Sequence, residues 1–173
     1  MLEGHIRRRL APIIPITLLA ALAWLGGCAA VAPGGLPPGT QIATARATTF
    51  GPTGEYALPG GGTRLEFAQG TFGKQTYMLD FDKGGVLVSS QQVLTELNLA
   101  TITPGMSADE VRMRFGQPVQ VFGVRHPRAH VWNYRFDGGD CVWYQVSISD
   151  ASQTVVEASL GQDPACDGPN SRD

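Results

Sequence analysis

The stretch Thr103–Pro118 (TPGMSADEVRMRFGQP) carries both a helix start and a helix stop. Ser107 is placed to accept from the backbone N–H of Glu110, and Glu110 to reach back to the N–H of Ser107, the two halves of a capping box. Met106 before the cap and Val111 in the first turn are spaced as a hydrophobic staple. Asp109 and Glu110 put negative charge at the positive end of the helix dipole. Gly116 offers a left-handed stop, and Pro118 forbids continuation. A short amphipathic helix is therefore expected here, and the surface that receives it decides the architecture.

The residues before it decide where the chain resides. Arg7, Arg8 and Arg9 precede an apolar run from Leu10 to Leu25, interrupted by Pro12 and Pro15. A basic start followed by a short apolar core is the pattern of a secretory leader. The run falls short of the roughly 20 residues that a membrane-spanning helix needs. At its end stands Leu25-Gly26-Gly27-Cys28, which resembles the lipobox of bacterial lipoprotein signals. That resemblance implies cleavage before Cys28 and lipid on its sulfur and new amino terminus, and the covalent lipid is the only added group expected. Ala29 after the cysteine implies, by the same resemblance, the outer membrane rather than the inner one. Stable anchoring needs more than one acyl chain, which such a modified cysteine supplies.

Loss of residues 1–27 removes three arginines and Glu3, leaving 10 basic against 14 acidic residues, a net charge of −4. That balance excludes a general nucleic-acid binder. The next segment, Cys28–Gly39, reads as a Pro- and Gly-rich tether to a periplasmic domain.

With 43% apolar residues the remainder can fold, and 22 glycines and 12 prolines predict many turns. Thr40–Phe50 is a weak helix candidate, since its four threonines lower its propensity. Alternation then sets in, with Leu65 and Phe67 facing away from Arg64 and Glu66, followed by Tyr77, Leu79 and Phe81. Asp82-Lys83-Gly84-Gly85 signals a hairpin turn before Val86 and Val88. From Gln91 the spacing turns helical, with Val93, Leu94, Leu97 and Ile102 on one face. After Pro118 a loop is expected over Val119–Arg128. Three strands follow, with inward sets Trp132/Tyr134/Phe136, Val142/Tyr144/Val146/Ile148 and Val156/Ala158/Leu160. The tail from Gly161 reads as polar and irregular.

The two strand sets match at an offset of 67 residues, Leu65 falling on Trp132 and Leu79 on Val146, so a degenerate first repeat over 40–90 is expected before a second unit over 91–161. The expected class is α+β, antiparallel sheet from two tandem sets with short helices on one face.

Gly105-Met106-Ser107, Glu110-Val111, Phe115-Gly116-Gln117-Pro118 and Trp132-Asn133-Tyr134 resemble the pattern of the SmpA/OmlA (BamE) family of outer-membrane lipoproteins. The resemblance spans about Gln91–Leu160 and implies an α-α-β-β-β unit, shared in tandem by β-lactamase inhibitor proteins. It implies a non-enzymatic role in outer-membrane assembly or envelope integrity through binding another envelope protein. An inhibitor-like or sensing module for a soluble periplasmic or envelope enzyme is the alternative. Where the assembly-complex members carry an acidic-aliphatic segment ending in Gln-Gly-Asn, this chain has Val88-Ser89-Ser90-Gln91-Gln92.

The chemistry-bearing residues are few. With Cys28 lipidated, Cys141 and Cys166 remain as an even pair in an oxidising compartment, bridged across the last hairpin, free, or on a metal that no C-x-x-C spacing supports. Arg125, His126, Arg128 and His130, with Arg112 and Arg114 near in sequence, form the one basic cluster. It is either a site for an acidic partner or anionic headgroups, or a solvated loop. Pro127 argues against a helical histidine pair for metal. Trp143 alternates against Val142 and Tyr144, and so is either an exposed binding anchor or covered by the tail. No G-x-S-x-G, H-E-x-x-H or phosphate-loop pattern occurs, so no enzyme is expected.

Overall fold

A computed structural model of the chain describes residues 32–69, 73–138 and 140–167. The leader and Cys28 lie outside the described residues. After a 3-10 turn at Pro33–Gly35, the elements are α1 (Ile42–Arg46), β1 (Gly54–Ala57), β2 (Thr63–Gln69), β3 (Gln75–Phe81) and β4 (Leu87–Gln92). Then come α2 (Glu96–Leu99), α3 (Ala108–Phe115), β5 (Gln120–Arg125), β6 (Arg128–Tyr134), β7 (Val142–Ser149) and β8 (Val155–Gln162), with a last 3-10 turn at Pro164–Cys166. The strands make two four-stranded antiparallel meanders, β1-β2-β3-β4 and β5-β6-β7-β8. The class is α+β, dominated by antiparallel sheet.

Alternation explains the layers. Leu65, Phe67, Leu79, Phe81 and Leu87 share one face of the first sheet and bury against Ala45 of α1, with Ile42, Leu36 and Tyr77 at the margin. Met78, one residue out of phase, turns to the other face and joins a second core with Leu99, Val111, Phe115, Trp132, Tyr134, Val146 and Ile148. The helices α2 and α3 therefore lie between the two sheets, and the order of layers is α1, first sheet, α2 and α3, second sheet.

Geometry repeats between the sheets. Leu65 pairs with Leu79, and 67 positions on Trp132 pairs with Val146. Register shifts occur at Asp80/Phe81 and at the equivalent Ser147/Ile148. α1 and α3 start by the same device: Ile42 N–H donates to Gly85 O, and Ala108 N–H to Gln153 O. Gly39 and Gly105, at φ +89° and +91°, donate to Leu87 O and Val155 O before them. Identical local bonding in both halves is a stronger sign of internal repetition than alternation alone, because alternation constrains only side-chain faces.

Several expectations need correction. The capping bond from Glu110 N–H to Ser107 Oγ forms at 3.1 Å, but Glu110 does not return it; its side chain faces Arg114 at 3.6 Å. The helix at Thr40–Phe50 shrinks to Ile42–Arg46, and Phe50 is 88% exposed. Gln91 and Gln92 finish β4 rather than begin a helix; Leu97 is 85% exposed, and Leu99 takes its place in the core. The stretch expected as loop, Val119–Arg128, contains β5, and β1 had gone unread because Gly54 and Ala57 carry no strand signal. The bulge at Ser147/Ile148 turns Val155 inward in place of Val156, and Leu160 stays exposed. Gly161 and Gln162 belong to β8, not to an irregular tail.

The tether is also shorter than expected. Pro33 is buried, Leu36 packs on the first core, and Gly39 is bonded to β4. Residues 32–39 are thus docked on the first sheet, through buried Pro33, Leu36 and the bond from Gly39 to Leu87 O.

Cys141 and Cys166 form a disulfide with Cα atoms 5.4 Å apart, spanning 25 residues. Closing a loop of that length stabilises by about 3 kcal/mol on the chain-entropy estimate. Cys166→Ser is expected to lower the thermal midpoint by roughly 6–12 °C, and reductant is expected to shift the wild type but leave the variant unmoved in the same melting experiment.

Candidate functional site

Sheet register places the basic cluster at one end of the molecule. β5 and β6 run out as a hairpin whose last pair is Arg125 with Arg128, turning through His126 and Pro127. Arg125, His126, Arg128 and His130 line one open concavity of about 540 Å³ with Val124 and Asp150. Asp150 lies 2.6 Å from His130 Nδ1. Among the described residues no carboxylate lies within ion-pair distance of Arg125, His126 or Arg128. Two arginines thus bring positive charge to a concavity whose one carboxylate among the described residues, Asp150, faces His130.

Beside this tip runs an open edge. Among the described residues β5 pairs only with β6, and all six of its residues are exposed, including Val121, Phe122 and Val124. The sequence missed this strand because Gly123 interrupts its apolar run and Gln120 and Arg125 bound it. The 67-residue offset carries β1 onto β5, but β1 has no strand signal of its own, so the offset could not have revealed it.

The remaining candidates are engaged elsewhere. Arg112 stacks 4.3 Å from the centre of the Trp132 ring and faces Asp109 at 3.6 Å. Arg114 donates to Thr101 Oγ1 at 2.8 Å. Neither lines the hairpin concavity; proximity in sequence misled because α3 directs both side chains at the packed layer between the sheets. A second concavity, about 250 Å³ between Arg64, Asp80, Gln91 and Arg114, has its cations satisfied. Arg64 donates to both oxygens of Asp80 at 2.6 and 2.7 Å and to Met113 O at 2.8 Å.

Trp143 is 3% exposed, so it is no surface anchor. Arg135 lies over its ring at 5.8 Å and is held by both oxygens of Asp163 at 2.5 and 3.0 Å. Those bonds hold the Asp163 carboxyl below the usual carboxylate range. The disulfide and this bidentate pair together bring the end of the chain back along β6 and β7.

No family model matches the chain, and no curated protein matches it. A solved cysteine-rich secretory protein from Staphylococcus aureus aligns over 74% of this chain with 12% identity and a TM-score of 0.28. The chain spans 45% of that protein's length. A likeness so loose settles neither fold nor activity.

Sequence reasoning also passed over a buried polar junction. Glu66, expected on the polar face of β2, is fully buried. Its carboxyl group accepts from Tyr56 Oη at 2.6 Å, Thr53 Oγ1 at 3.1 Å and the backbone N–H of Gln117 at 3.2 Å. The first two partners belong to the first sheet, and the third follows α3. Tyr134 Oη donates to Gly116 O at 3.0 Å, one residue before Gln117. Burial, with help from Glu66, pushes the Tyr56 hydroxyl above its ordinary value, and burial does the same to Tyr134. Glu66 thus fastens the end of α3 to the first sheet.

Proposed function

We propose that this chain is a lipid-anchored, non-enzymatic lipoprotein of SmpA/OmlA (BamE) type, held at the outer membrane through Cys28 with its folded part in the periplasm. Its role is to bind another envelope protein in support of outer-membrane assembly or integrity. In this reading residues 1–27 are the signal, a short linker follows Cys28, and the two sheet units are tandem copies, the second being α2, α3 and β5–β8, one strand more than the α-α-β-β-β pattern of the family it resembles. The observation that carries the reading is the exposed β5–β6 hairpin, an apolar strand edge ending in two arginines with no carboxylate in ion-pair distance among the described residues. Such a surface suits a protein contact, where apolar area supplies affinity and unpaired charge supplies orientation. The leader and the lipobox-like tetrapeptide support the compartment, and the Cys141–Cys166 disulfide agrees with an oxidising one.

A projecting hairpin also suits insertion into the cleft of a soluble enzyme, the inhibitor-like alternative. Chemical cross-linking in intact cells, followed by purification of the full-length protein from membranes, separates the two. The expected main product is an envelope assembly component, and it is expected to fall at least fivefold in Arg125→Glu/Arg128→Glu protein. A soluble periplasmic enzyme as the main product supports the alternative, and products indifferent to the charge reversal would remove the hairpin from the account.

A further inference from the structure

The edge of β5 differs from the other sheet edges in a way that points to a specific kind of occupant. In an antiparallel sheet, every second residue of an edge strand directs its N–H and C=O away from its only neighbour. Among the described residues, Gln120–Arg125 make no backbone bond outside the β5–β6 ladder. Exposed edges of this length are ordinarily blunted by charge, proline or bulges. The opposite edge of the same sheet is blunted so: β8 lies across the bulge at Ser147/Ile148, carries Glu157, and its end is tied down by Cys166. On the first sheet, β4 presents Ser89, Ser90 and Gln91, and its start is bonded to Gly39 and Thr40. β1 is only four residues long.

β5 has none of these defences along Val121–Val124. A Cβ placed at Gly123 would meet nothing within 4 Å. That open space lies over the face of the sheet, so it leaves room for a side chain of a strand paired beside Gly123. At one end the strand runs into Arg125 and Arg128 and the concavity they line, where the charge is positive. At the other end Gln120 is neutral. The edge is therefore polarised along its length, and an incoming strand is read for direction as well as for composition.

We propose that β5 receives an extended segment of a partner protein as a fifth strand. The segment runs antiparallel to β5, with alternating apolar residues along Val121–Val124. One or two acidic residues at its N-terminal end sit in the Arg125/Arg128 concavity. Antiparallel addition satisfies the outward N–H and C=O groups of β5, and the carboxylates supply the counter-charge the arginines lack. This proposal rests on the hairpin being the protein-binding surface and names the chemistry of what it binds. Glu157 would repel the same segment from β8, so the acidic residues also choose between the two edges of the sheet.

The test uses the full-length lipoprotein in detergent micelles and an N-acetylated probe peptide, Asp-Glu-Val-Thr-Val-Thr-Val, followed by residue-resolved amide exchange. Addition of saturating peptide is expected to slow exchange at least tenfold at alternate residues of Gln120–Arg125 and nowhere on β8. A peptide with two lysines in place of the acids is expected to bind at least tenfold more weakly, and Arg125→Glu/Arg128→Glu protein is expected to reverse that preference. Equal affinity for the two peptides, absence of protection on β5, or protection on β8 would each overturn the proposal. Protection of β5 that rises with protein concentration and needs no peptide would overturn it in favour of a second copy as the occupant. If the peptide fails while charge-sensitive cross-linking in cells persists, strand addition is refuted and the protein-binding reading stands.

Discussion

Gly116→Val is expected to be the most destabilising single substitution in the second unit, by roughly 3–5 kcal/mol. Two independent costs combine there. The backbone at Gly116 sits at φ +81° and ψ −167°, a region that residues with a Cβ essentially avoid. A Cβ would also lie 2.8 Å from the carboxyl carbon of buried Glu66. Gly54 stands in the same relation on the other side, 2.7 Å from Glu66 Oε2. Gly105→Ala separates the two costs, since Gly105 has φ +91° but open space around its Cβ position, and about 1–2 kcal/mol is expected for strain alone. Denaturant titration of the two variants checks the difference. Placing Gly116→Ala in a Glu66→Ala background should then cost less than in the wild type, because the clash has been removed; strict additivity would show that Glu66 is not the obstacle.

The second large effect concerns location. Cys28→Ala is expected to abolish lipid attachment and release the protein from the membrane fraction into the soluble periplasmic fraction. One acyl chain anchors reversibly, and several acting together do not let go on the timescale of a fractionation. No helix among the described residues is long and apolar enough to span a membrane, and the acidic body offers no general attraction to anionic headgroups. Cys28→Ala protein that is still processed and still sediments with membranes would contradict the lipid anchor.

The sequence made the second unit more legible than the first, for physical reasons. α3 was readable because its cap, charges and terminating glycine act within a few residues. β2, β3, β6 and β7 were readable because their large apolar residues alternate along one core-facing side, even though the other side is also partly covered. Where an element's burial is decided by distant residues, local pattern failed. Leu97 has helical spacing but faces solvent, since α2 is a single turn and only Leu99 reaches the core. Glu66 looked like an outward strand residue, because nothing local reveals that a second layer closes over that face. Val156 had the right alternation, but one bulge shifted the phase to Val155; Leu160 keeps its register opposite Tyr144 and is exposed on the edge strand.

The candidate site divides the same way. Arg125, His126, Arg128 and His130 are close in sequence and line one concavity at the hairpin end, so proximity in sequence carries over to proximity in space. Arg112 and Arg114 are close in sequence but belong to a helix that faces another layer. Trp143 was ambiguous from alternation alone, because whether the tail covers it depends on Arg135, Asp163 and the disulfide acting together.

Site-specific photocross-linking in living cells tests the central claim most directly. A photoreactive residue replaces Phe122 on β5 in one strain and Leu97 on α2 in another, both positions being exposed in the folded chain. A discrete adduct with one envelope protein is predicted from position 122, lost when Arg125 and Arg128 are reversed in charge, and absent from position 97. Adducts of equal strength from both positions, or none from position 122 while position 97 gives one, would contradict the hairpin as the binding surface.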